Sequence, residues 1–138
     1  MAGETQGPRT PQSMTALHVI YLALIFGVVL FAIVVRLVLE PIEAYSGSAL
    51  RFVWLAAAAG CTLAAGYFRT RLAGPQAEDG QITTAAVVVW ALAEGQALLG
   101  IVAYMISGDV LIFWCALVLF VYLFARYRPA VFMSTSRR

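Results

Sequence analysis

Residues Ile82 to Ser107 read ITTAAVVVWALAEGQALLGIVAYMIS, and Glu94, almost halfway along, carries their only charge. As a helix rising about 1.5 Å per residue, the run crosses a hydrocarbon core of roughly 30 Å with length to spare. Its acid then falls near the bilayer centre. An ionised carboxylate at that depth is costly, so the side chain must stay protonated, find a partner or face a polar interior.

The rest of the chain has the same character. Of 138 residues, 62% are hydrophobic, and the mean hydropathy of +0.88 lies well outside the range of soluble domains. Nine arginines and no lysine stand against seven acids, too few and too scattered for a nucleic-acid partner. Cys61 and Cys115 fall inside apolar runs, with neither the spacing of a metal site nor the setting of a disulfide framework, and read as packing residues. No HExxH, P-loop, nucleophile elbow or His/Ser/acid constellation is present. One acid cannot supply both halves of hydrolytic acid–base work, so no enzyme is expected.

Four helices with short loops account for the pattern: about 16–39, 49–68, 82–107 and 110–125. Residues 1–15, with Gly7, Pro8 and Pro11, read as an N-terminal tail, and 128–138 as a basic C-terminal tail. The run Ala16 to Val35 is longer than a signal-peptide apolar region and lacks a small-residue site after it, so it is retained as a helix. Arg36 can snorkel to the headgroups or pair with Glu40, and Pro41 ends the first helix. Gly74, Pro75, Glu78, Asp79 and Gly80 make a polar turn, and Asp109 suits the N-cap of the last helix. The fourth run is the shortest for a span. Four spans place Arg9, Arg69, Arg71, Arg126, Arg128, Arg137 and Arg138 on one side and only Arg36 and Arg51 on the other. The positive-inside tendency makes the first side cytoplasmic, giving an inner-membrane protein with both termini inside.

Glu94 is the leading site candidate: a carboxyl that exchanges a proton or cation, a buried hydrogen-bond donor that fixes helix register, or a group paired by another subunit. Trp90, one turn earlier, either screens the acid from lipid or fills a helix contact, with packing preferred. Gln96 lies about 200° around the helix from Glu94 and is expected to bond to a different neighbour. In the second helix Ala56, Gly60 and Ala64 recur every four residues, a smooth stripe for close approach by another backbone. His18, the only histidine, is a weak candidate for an axial haem or chlorophyll ligand; a headgroup-facing or hydrogen-bonded role is preferred. No metal site is expected. The tyrosines and tryptophans near helix ends form an aromatic belt.

The segment LAAAAGCTLAAG, a polar turn with Arg71 and Pro75, and ALAEGQALLGIVAY together resemble the hairpin of the proteolipid c subunit of rotary ATP synthases, over about residues 49–108. The resemblance implies a membrane ring in which Glu94 would carry the translocated proton or sodium ion. Of the family's first-helix glycines only Gly60 and Gly66 are represented, three residues separate Arg71 from Pro75, and a helix is added on each side.

The expectation is therefore an all-α, integral membrane four-helix bundle. It would contact the lipid bilayer and other membrane subunits or copies of itself. Four short-looped helices leave little room for a complete ion pathway. A small accessory or structural subunit, with Glu94 as a polar packing or coupling residue, is preferred over proton or cation translocation.

Overall fold

The computed structural model describes residues 11–39, 47–72, 79–130 and 132. Four helices follow in order: α1 Pro11–Val38, α2 Gly47–Leu72, α3 Asp79–Ser107 and α4 Val110–Arg126. The expected Arg36–Glu40 pair, the stop at Pro41 and most of the Gly74–Asp79 turn lie outside the described residues. So do most of the N-terminal tail and the last six residues.

The first three helices outrun their apolar cores. Pro11 sits at the very start of α1, where a missing N–H costs nothing. At the other end of α2, Arg69 and Arg71 occupy the last turn, where cations suit the exposed carbonyls. Three helices are long and apolar enough to cross a membrane: Thr15–Val38, Ala49–Arg71 and Gly80–Ser107. With 17 residues, α4 is shorter but apolar up to Arg126 in its last turn. The chain is a multi-pass, membrane-spanning helical protein, an all-α bundle of four helices.

Long-range contacts fix the topology. Arg51, early in α2, pairs with Asp109, just beyond α3. Tyr21, early in α1, touches Trp90 in the first half of α3 and Phe124 near the end of α4. Neighbours in sequence therefore run antiparallel, and the start of α1 shares an end of the bundle with the close of α4.

The hub is α3, which packs against each of the other three helices. Its inward side mixes small residues, Ala85, Ala86, Ala93, Ala97, Gly100 and Ala103, with the larger Ile82, Val89, Trp90, Gln96, Ile101 and Tyr104, all buried. Between lipid-soluble helices there is little hydrophobic drive to associate, so close backbone approach and dispersion must hold them together. Gly100 marks the tightest point. A Cβ there would overlap the Ala116 Cβ of α4 and lie 2.8 Å from the Trp54 indole nitrogen of α2. Many large apolar side chains also point outward, among them Leu22, Phe26, Leu37, Phe52, Leu63 and Val118. That distribution suits a hydrocarbon solvent.

Hydroxyls within the helices are satisfied locally. Thr62 donates to the Ala58 carbonyl at 2.8 Å and Ser107 to that of Ala103 at 2.7 Å, as a medium without water requires. The α3–α4 corner is equally closed. Gly108 takes the left-handed conformation (φ 68°) and its N–H reaches the Tyr104 carbonyl at 2.8 Å, a glycine stop of the αL type. Asp109 caps α4 as expected, its side chain accepting from the Leu111 amide. Arg51 then ties this corner to α2. The hydrogen bond from Arg51 holds the Asp109 carboxyl below the usual carboxylate range, with the Leu111 amide helping.

Beyond α4 the chain turns back onto the bundle. The Tyr127 amide bonds to the Leu123 carbonyl at 2.9 Å, and Phe132 is buried with its ring edge-on to Trp90. The expected basic tail therefore begins with a packed segment, because Pro129 and Phe132 supply apolar surface amid the arginines.

Two predictions follow from these contacts. Gly100→Ala should destabilise the bundle by about 1–3 kcal/mol, while Gly95→Ala, at an open position, should leave it unchanged or raise it by up to ~1 kcal/mol; unfolding in detergent micelles measures both. Because the Asp109 carboxyl is depressed in the folded chain, its ionic contribution is fully present above the unfolded value of about 3.9 and lost as pH falls through the lower folded value. Asp109→Asn should flatten that acid limb while keeping the cap, and Asp109→Ala should cost about 1 kcal/mol more by losing it. An Asn variant with the wild-type acid profile would refute the coupling.

Candidate functional site

Glu94 lies close to the midpoint of α3, roughly 20 Å from either end at 1.5 Å per residue. The helix surface around it divides sharply. Trp90, about 40° to one side by helical geometry, is fully buried. Ala91, about 60° to the other side, is exposed, as are Gly95 and Val102. Val87, Leu98 and Glu94 itself are half-buried. The acid thus stands at the rim of the outward strip of α3, where the bundle ends and its surroundings begin.

Among the described residues no hydrogen bond or ion pair to Glu94 is formed. The strip beside it is low: a Cβ built on Gly95 would meet no atom within 4 Å, and Ala91 precedes Gly95 by one helical turn. Such a surface admits another helix closely enough for its polar groups to reach Glu94.

Gln96 occupies the opposite situation. Among the described residues it is the one buried polar side chain of the core, and its amide nitrogen donates to the Ala116 carbonyl of α4 at 3.3 Å. The backbone carbonyl of Gln96 accepts the Trp54 indole N–H of α2, also at 3.3 Å. One turn of α3 thereby links three helices through polar contacts, each of a kind that contributes about 0.6 kcal/mol in membrane proteins. Its Oε1 is buried and has no partner among the described residues.

Trp90 is a packing anchor. Its indole N–H donates to the Tyr127 carbonyl at 2.7 Å, and its ring meets Tyr21 edge-on at 5.2 Å and Phe132 at 6.2 Å. The Tyr21 hydroxyl donates to the Phe124 carbonyl at 3.0 Å, and the Arg69 guanidinium lies 5.6 Å from the centre of the Tyr127 ring. This aromatic knot locks α1, α2, α3 and the turn after α4 at one end of the bundle. Its partners come from four distant stretches of sequence, and only the presence of Trp90 pointed towards it.

The small-residue stripe of α2 looks outward. Ala56 and Gly60 are exposed, Ala64 is half-buried, and a Cβ on Gly60 would meet nothing within 4 Å. Inside the chain, close packing uses the alanines of α3 instead. His18 is exposed near the start of α1, on a different helix from Glu94. Among the described residues no group of three or more His, Cys, Asp or Glu comes together to hold a metal. The thiols of Cys61 and Cys115 are both free.

Chemically, the arrangement offers one carboxyl at mid-depth that can donate or accept a single hydrogen bond, or exchange one proton, across an outward surface. Comparison with protein-family models, with curated proteins and with solved structures finds no match to this chain.

Proposed function

We propose that the chain is a small accessory subunit of an inner-membrane complex, docked through the outward strip of α3 against a transmembrane helix of another polypeptide or another copy. The observation that carries this reading is the half-buried, unanswered carboxyl of Glu94 beside the low surface of Ala91 and Gly95. A carboxyl left facing lipid is unfavourable, whereas a hydrogen-bonding partner on a closely approaching helix removes most of that cost. The arginine distribution supports an orientation with the shared end of α1 and α4 in the cytoplasm. No catalysis is assigned to the chain.

A second reading is the ring-type ion carrier that the c-subunit resemblance implies. It is favoured by one feature, the position of Glu94 at mid-helix on the rim of the outward surface, where a proton taken up from a neighbouring subunit's access path could be held. The interior favours docking instead, because among the described residues Gln96 is the one buried polar side chain in it.

A photo-crosslinking residue placed at Ala91, Gly95 or Leu98 in native membrane should give discrete adducts with a protein partner. The same residue at Val118 or Val121, exposed on α4, should give few. Equal yields from the two faces would refute docking through α3. Proton uptake by reconstituted vesicles separates the second reading: flux abolished by Glu94→Gln supports ion carriage, and absent or unchanged flux eliminates it.

A further inference from the structure

A groove of about 320 Å³ runs between the second half of α1 and the first half of α4, remote in sequence from the α3 docking strip. Its walls are apolar side chains, chiefly Val29, Ala32, Phe113, Trp114 and Leu117, and Arg36 supplies the one charged group. The volume sits at the lower end of the ligand-pocket range of about 300–1,000 Å³.

The two ends of the groove differ chemically. Arg36 lies in the last turn of α1, and Trp114 lies in the second turn of α4, so both stand near the same end of the bundle. Aromatic side chains at that level favour the headgroup region, and an arginine there extends its guanidinium towards the interface. Deeper in the groove only hydrocarbon is offered. Among the described residues Arg36 has no acidic partner, and it is exposed, so the five donors of its guanidinium are open to an anionic group at the mouth.

We propose that this groove seats a phospholipid bearing a net negative headgroup, with one acyl chain against Ala32, Phe113 and Leu117 and the phosphate on Arg36. Charge complementarity selects the occupant. A planar guanidinium grips phosphate in bidentate fashion, and a zwitterionic lipid presents a compensating cation that weakens the attraction. The site requires α1 and α4 to be held apart at this end, which their separate packing on α3 accomplishes. It is independent of Glu94 and of the partner assigned to α3.

The test is native mass spectrometry of the full chain released from nanodiscs containing equal amounts of phosphatidylglycerol and phosphatidylcholine. Roughly five-fold preferential retention of phosphatidylglycerol is expected, equivalent to about 1 kcal/mol for one interfacial arginine. Arg36→Gln should bring the ratio close to one, and Arg36→Lys should retain part of it. Val29→Trp, which narrows the groove at an exposed position and leaves the charge in place, should lower retention of both lipids. Equal retention of the two lipids by the wild-type chain, or an unchanged ratio in Arg36→Gln, would overturn the proposal. Loss in Arg36→Gln with full retention in Val29→Trp would overturn the groove as the seat.

Discussion

Everything in this bundle depends on how closely α3 can be approached. It packs against each of the other three helices and shares the largest contacts of the bundle, over a surface in which alanines and one critical glycine alternate with larger side chains such as Trp90 and Ile101. In a hydrocarbon solvent, large apolar side chains gain little by being buried. Small residues that bring backbones together gain dispersion and interhelical hydrogen bonds, while many bulky side chains face outward and others, Trp90 among them, fill the ends of the bundle. The bond from the Trp54 indole to the Gln96 carbonyl exists because Gly100, one turn later on α3, lets the indole in.

The same economy governs polar groups. Thr62 and Ser107 bond within their own helices, Gln96 reaches across to α4, and Trp90 and Tyr21 use their polar atoms on backbone carbonyls. Asp109 caps a helix and meets Arg51 at the same time. Against this background Glu94 stands out. Its position on α3 is forced by the rotation that buries the alanines, and that rotation carries the acid to the outward rim. Among the described residues, Thr62, Ser107, Gln96, Trp90 and Tyr21 find hydrogen-bond partners within the bundle, and this carboxyl is left to something outside it.

Much of this was legible in the sequence. Hydropathy and length gave the helices, and Asp109 announced the cap of α4. The rotation of α3 was not legible. A run that is apolar all round has no hydrophobic face to read, so Glu94 and Gln96, about 200° apart, were equally eligible for the interior. Packing against three neighbours decided between them, through Ala93, Ala97 and Gly100. The α2 stripe of Ala56, Gly60 and Ala64 looked like the natural packing seam, yet α3 offered a longer row of small residues and took that role. The Arg51–Asp109 pair and the burial of Phe132 against Trp90 depend on long-range closure that no local pattern encodes.

The central claim, that α3 turns Glu94 outward at mid-depth, can be tested on the unmodified chain reconstituted alone in lipid vesicles. Glu94 should be labelled by a lipid-soluble carbodiimide and spared by a water-soluble one, with peptide mass spectrometry locating the adduct. Labelling by the water-soluble reagent would place the carboxyl in an aqueous setting. Resistance to the lipid-soluble reagent would place it inside the bundle. Either result would contradict the account.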